Sequence, residues 1–309
     1  MVQHNRIFTA DHPTLITHSP VEQASGLCGL VGIPAAFSLL NDPAGEEALI
    51  GFYGPYLRLA CKAASGLLLE APSARATAAW GRRWGCYDYA ALNRQAVRFV
   101  ALLRSYADPA ARFVRIAGAI GPCSPDPGNA PLPEAALLAH FEQAECLAAA
   151  GIDLLVATAI PTTAEAIGLT MAAAAVERPL LVTLVTDGSG LLRNGQPLSE
   201  AIAEIDVAFP EKLRPLGYGI ASADLSTARG ILRGLGGQAM RVKALSLSAA
   251  LFLPSAVAEP REEQALQALP WCRPDADIRA EFPQIAILGG AFQKARSAQN
   301  RPQPPCLAA

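Results

Sequence analysis

The sequence lacks the usual short signatures of metal, redox and nucleotide sites. It has no CxxC pair, no HxxxH or HExxH pair, and no GxGxxG after its first apolar run. Those absences count against a zinc ribbon, a thioredoxin-like motif, a zincin and a dinucleotide fold. The seven cysteines (Cys28, Cys61, Cys86, Cys123, Cys146, Cys272 and Cys306) are dispersed and odd in number. Free thiols in a reducing compartment are therefore expected. The histidines, His4, His12, His18 and His140, are expected at the surface or at caps. Neither sign of charge dominates, the net charge being −2. Electrostatics thus gives no reason to expect nucleic acid or an anionic membrane as partner. Apolar stretches are broken by Gly, Pro or charge before they reach bilayer-spanning length, and Met1-Val2-Gln3-His4-Asn5-Arg6 has no signal-peptide core. A cytoplasmic protein is expected.

What the chain does have is alternation. Its 309 residues suit one large barrel or two small domains. Eight short Val-, Ile- and Leu-rich runs recur: Arg6–Ala10, Gly66–Ala71, Val114–Ala119, Asp153–Thr158, Leu180–Val185, Gly217–Ser222, Arg241–Leu247 and Gln284–Leu288. Continuous apolarity fits parallel strands buried on both faces. Helical patterns lie between them at Ala90–Tyr106, Glu134–Ala150, Thr163–Val176, Leu198–Val207, Ser226–Leu235 and Arg261–Leu269. Glu134–Ala150 follows Pro131 and Pro133 and stops at Gly151, a proline start and a glycine stop. Strand and helix alternating eight times predict an α/β fold of the (β/α)8 TIM barrel type. Residues 1–295 form the barrel in this reading, residues 12–45 a long connection over its mouth, and residues 296–309 a disordered tail.

In such barrels chemistry gathers at the C-terminal ends of the strands. Those ends carry Asp11, Glu70, Gly121-Pro122-Cys123, Thr158, Asp187, Ser222, Ser248 and Gly289-Gly290. Asp11 and Glu70 are the carboxylates best placed to accept hydrogen bonds from an amino group or to act as a general base. A structural role, capping a loop, is equally open for each. Cys123 has no basic partner in sequence to lower its pKa. Arg75 fits a ligand carboxylate or a surface position equally well.

Several of these segments, in order, resemble the homocysteine S-methyltransferase family. Phe8-Thr9-Ala10-Asp11 resembles its opening Leu-Thr-Asp-Gly-Gly, with His12-Pro13 in place of the two glycines. Pro34-Ala35-Ala36-Phe37-Ser38-Leu39-Leu40 fits the segment that follows. Leu68-Leu69-Glu70-Ala71-Pro72-Ser73-Ala74-Arg75-Ala76 with Trp80-Gly81 resembles a Leu-Glu-Thr-Pro-Thr-Trp-Arg-Ala…Trp-Gly stretch. Ala117-Gly118-Ala119-Ile120-Gly121-Pro122 is similar to a Gly-Ser-Ile-Gly-Pro loop, and Glu165-Ala166-Ile167-Gly168 to a Glu-Ala-Ile-Gly element. Leu192 to Leu198 matches a Leu-x-x-Gly-x-x-Leu loop, and Leu288-Gly289-Gly290 the start of a terminal Gly-Gly-Cys-Cys.

The resemblance implies a barrel in which three cysteines hold Zn²⁺ and the metal binds the substrate thiol as thiolate. The matching positions here are Ser222, Ala291 and Phe292, none of which supplies a thiolate. No metal is expected at those positions. Three readings follow. One is a diverged methyltransferase-family enzyme acting without zinc on a small amino-acid-like or thiol-bearing molecule. Another is a non-catalytic small-molecule binder, or a pseudoenzyme partner of an active paralogue. The third is a zinc methyltransferase with ligands recruited from elsewhere, such as Cys123 and Cys28. Asp11, Glu70, Gly121, Cys123 and Thr158 are the candidate substrate contacts. A small-molecule ligand is the expected partner, and a homo-oligomer is compatible with the sequence.

Overall fold

The computed structural model describes residues 15–18, 35–62, 66–85, 87–107, 114–124, 131–222, 224–247 and 278–290. Its eight parallel strands close into a barrel in sequence order: β1 Leu15–His18, β2 Gly66–Ala71, β3 Val114–Ile120, β4 Leu154–Ile160, β5 Leu180–Leu184, β6 Gly217–Ser222, β7 Val242–Leu247 and β8 Ile287–Gly290. β1 closes the ring against β8, with Thr17 beside Gly289. The predicted (β/α)8 TIM barrel is therefore the fold.

Side-chain alternation decides what fills the barrel. Leu68, Ala117, Leu154, Val156, Leu181, Ala244 and Ile287 point inward and form the buried plug. Residues of opposite parity on the same strands, such as Leu67, Leu69, Leu155 and Leu180, join the larger core beneath the helices. Both faces are thus dry, which is why the strands read as continuous apolar runs. Two inward glycines are set by crowding. A Cβ at Gly219 would overlap the Thr183 side chain, and one at Gly289 would overlap Thr17 Cγ2.

The α-helices among the described residues are α1 Pro43–Lys62, α2 Ala78–Trp84, α3 Tyr89–Ser105, α4 Pro133–Ala149, α5 Thr163–Ala175, α6 Leu198–Val207, α7 Leu225–Gly234 and α8 Ile278–Glu281. Local chemistry sets their ends. Thr77, Asp88, Thr162 and Asp224 each accept a first-turn backbone N–H, satisfying donors the helix itself leaves open. α4 starts at Pro133 and is followed by Gly151 with φ +92°, as the sequence predicts. No helix among the described residues is long and apolar enough to cross a membrane.

Three expectations need correction. The first barrel strand is Leu15–His18 rather than Arg6–Ala10; Leu15, Ile16 and Thr17 take the register opposite Gly66, Leu67 and Leu68. The earlier run, with Asp11, lies outside the described residues. Residues 12–45 are therefore not one connection, since they contribute a barrel strand and the 3-10 turn Ala36–Asn41. Within that turn Phe37 is buried with Ala35 and Ala76, and Leu92 packs against them. The eighth strand also runs later than Gln284–Leu288, because Gly289 and Gly290 continue it against Thr17 and His18. Arg261–Leu269, Ser248, Ala291, Phe292 and residues 296–309 lie outside the described residues.

Candidate functional site

The C-terminal mouth of the barrel holds a cavity of about 220 Å³. Its floor is the top of the apolar plug: Leu68, Val156, Leu181, Ala244 and Ile287. Above lies a polar collar of the Thr17, Thr158, Thr183, Thr186 and Ser246 hydroxyls and one carboxylate, Glu70. Every collar residue sits within two residues of the end of its strand.

Glu70 is buried, with 6% of its surface exposed. Thr17 Oγ1 donates to its Oε1 over 3.0 Å, and the Leu68 carbonyl is a second acceptor at 3.2 Å. Tyr53 Oη, from α1, donates to the Glu70 carbonyl at 2.7 Å and fixes the strand end from outside. The opposite wall is irregular. Pairing of β4 with β5 slips between Ala157 and Ile160, and Ala159, which lines the cavity, has φ +57°. A non-glycine residue in that region is strained, and such strain gathers at functional sites.

The loops after β2 and β3 are locked together. Gly121 N–H donates to the Ala74 carbonyl at 2.7 Å and Trp80 Nε1–H to the Pro122 carbonyl at 2.8 Å. Ser73 Oγ donates to the Ala119 carbonyl, and Gln143 Nε2 to the Ser73 carbonyl. A Cβ at Gly121 would lie 2.8 Å from the Ala74 oxygen, so this approach needs glycine. The Arg75 guanidinium lies over the Trp80 ring, 4.7 Å from its centre. The two motif segments around Glu70 and Gly121 are thus one physical unit.

Sequence candidates separate accordingly. Glu70 and Thr158 line the cavity; Gly121 and Cys123 are not among its lining residues. Ser222 Oγ donates to the Asp224 carbonyl at 3.0 Å, and its neighbour Ala221 is the one that faces the cavity. Asp187 is a turn residue, accepting from the Ser189 and Leu191 amides. Thr17, Thr183 and Ser246 were missed; the inward parity of their strands was the available signal.

Behind the wall is a second polar group. His140 on α4 and Glu165 on α5 are 0% and 1% exposed in their side chains, and His140 Nε2 lies 2.9 Å from Glu165 Oε1. The Cys123 amide donates to the same oxygen at 2.7 Å. His140 is therefore neither a surface nor a capping residue. Burial first, then the Glu165 charge and hydrogen bond, push the Cys123 thiol up to about 12, away from nucleophilic use.

No curated protein sequence matches the chain significantly. Among solved structures, it is similar to the metallated form of the homocysteine methyltransferase MmuM from Escherichia coli: TM-score 0.65, 18% identity, 94% of this chain and 96% of that one covered. The oxidised form of the same protein gives a TM-score of 0.63 at 17% identity, covering 95% and 96%. At such identities the likeness concerns the fold. The profile of homocysteine S-methyltransferase matches residues 71–291, which run from the end of β2 to the residue after β8. With most of the barrel inside that match and the strand-end loops interlocked as described, the chain belongs to the homocysteine S-methyltransferase family.

Proposed function

We propose that the mouth cavity binds a small amino-acid-like or thiol-bearing molecule, and that the family's methyltransferase-type chemistry is carried out there without zinc at the family positions. The observation that carries this reading is the buried Glu70 carboxylate in a hydroxyl collar above an apolar floor. A carboxylate there accepts N–H bonds from a ligand ammonium, while the Thr158, Thr183 and Ser246 hydroxyls can donate to a ligand carboxylate. The apolar floor suits a short aliphatic or thioether chain. The cavity volume of about 220 Å³ is below the ~300–1,000 Å³ of sites for drug-sized ligands.

The residues at the family's metal positions do not fit a zinc ion. Ser222 commits its hydroxyl to Asp224, and Ala291 and Phe292 have no donor side chains. A methyl transfer at this site would rely on orientation of thiol and donor by the collar. The lack of a thiolate anchor equally supports the second reading, a ligand binder without turnover. Native mass spectrometry of the purified protein, followed by titration of the captured molecule into wild type and Glu70→Gln, tests the site. Capture of an amino-acid-sized molecule whose affinity falls about tenfold or more in Glu70→Gln is expected. Equal affinity in both proteins would remove the cavity from the argument.

A further inference from the structure

We propose that Cys123, His140 and Glu165 form a binding site for a zinc-class divalent cation, outside the barrel wall and separate from the mouth cavity. Three elements converge there: the loop after β3, the middle of α4 and the first turn of α5. One ligand atom from each residue, sulfur, nitrogen and oxygen, lies within 4.8 Å of the other two. That mixed donor set is the kind zinc accepts.

Three physical features support the assignment. First, the charges balance: a dication beside one thiolate and one carboxylate is neutral, as a site with two buried ligands requires. Second, the metal-free arrangement holds a proton where the cation would sit: the Cys123 thiol faces the Glu165 carboxylate, and a dication replaces that proton between the two ligands. Third, access is graded. His140 and Glu165 are buried whereas Cys123 is half-buried, which gives the ion an entry side and room for water as a fourth ligand. None of the three lines the cavity, so the ion would fasten the Gly121–Cys123 loop to α4 and α5 rather than touch the cavity's ligand.

The proton balance is simple. The Cys123 thiol proton leaves to solvent as the sulfur–metal bond forms. A His140 ring that donates Nε2–H to Glu165 moves that proton to Nδ1 and offers the Nε2 lone pair. His140 Nδ1 has no hydrogen-bond partner among the described residues, so the exchange of tautomer breaks no bond at that atom. Glu165 remains a carboxylate.

The test uses the full-length protein stripped of metal by chelator. Zinc is titrated by calorimetry, and cobalt(II) is titrated in parallel for the near-ultraviolet charge-transfer band of a cobalt–thiolate bond. Wild type is expected to take up about one cation per chain and to show the band. Cys123→Ser, a conservative change at a half-buried position, should abolish the band and weaken zinc binding by about a hundredfold or more. Glu165→Gln, which can still accept the Cys123 amide, should keep the band and bind more weakly. No saturable uptake by wild type, or uptake and a charge-transfer band unchanged in Cys123→Ser, would overturn the proposal.

Discussion

Thr17 Oγ1 donates to Glu70 Oε1 across 3.0 Å, so the strand that closes the barrel also orients the one carboxylate of its mouth cavity. Both residues are buried, at 5% and 6% exposure. Thr17→Val keeps the shape and removes the donor, leaving a buried carboxylate short of a hydrogen bond. A loss of about 1–3 kcal/mol is expected. Thr17→Ser keeps the hydroxyl and should lose less. Urea unfolding of the two variants decides it; equal midpoints would mean the hydroxyl contributes nothing.

Ala159 gives a prediction of opposite sign. At φ +57° its Cβ crowds the backbone, a strain of roughly 1–2 kcal/mol that glycine avoids. The added freedom of glycine in the unfolded chain offsets about 0.4–1 kcal/mol of that gain. Ala159→Gly should therefore be neutral to about 1.6 kcal/mol more stable, and Ala159→Val clearly less stable than wild type. A melting temperature for Ala159→Gly well below wild type would show that the conformation carries no strain.

The sequence made some of this legible and hid the rest for identifiable reasons. α4 announced itself because Pro133 and Gly151 act locally at its two ends. Glu70 was visible because it ends an unbroken apolar run just before Ala71-Pro72. α1 was hidden by Gly51, Gly54 and Pro55, residues that disfavour a helix unless packing overrides them. That packing is tertiary: Tyr53 and Tyr56 are buried in the main core. Thr17 was missed with its strand, since Leu15–His18 and Arg6–Ala10 are both short and apolarity alone does not rank them. His140 and Glu165 stand 25 positions apart on different helices, and no local pattern reports such a pairing.

Cys123 should be slow to alkylate in the metal-free protein. With its thiol pushed up to about 12, the thiolate fraction at pH 8 is roughly 10⁻⁴, far below that of an ordinary cysteine near 8.5. Peptide mapping after brief iodoacetamide treatment should find Cys123 labelled orders of magnitude more slowly than a model thiol. Glu165→Gln should speed that labelling, since the carboxylate is one cause of the shift. The stability link follows from the sign. A pKa raised on folding contributes fully below about 8.5, and that contribution is lost as pH rises towards 12. Cys123→Ser should flatten this part of the alkaline stability curve. Rapid wild-type labelling at pH 8 would contradict the geometry.

The final prediction concerns turnover. Incubated with homocysteine and a sulfonium methyl donor, the wild-type protein is expected to form methionine far more slowly than an enzyme normally would. The small thiolate fraction is the lesser cause. A thiol with pKa near 8.5 is still a few per cent ionised at pH 7. The greater cause is position, because holding two reactants in line can be worth about 7–11 kcal/mol of barrier. At the end of β6 the cavity meets the methyl group of Ala221, while the Ser222 hydroxyl is engaged by Asp224. Nothing there can anchor a sulfur. The assay quantifies methionine by mass spectrometry for wild type and for Ser222→Cys/Ala291→Cys/Phe292→Cys with added zinc. A second triple variant carries Ala221→Cys in place of Ser222→Cys, since that thiol would face the cavity. Zinc uptake by either triple variant beyond that of wild type would locate the family's metal positions in this barrel. Robust turnover by the wild type would refute the claim that zinc-dependent methylation of homocysteine has been lost with the thiolates at those positions.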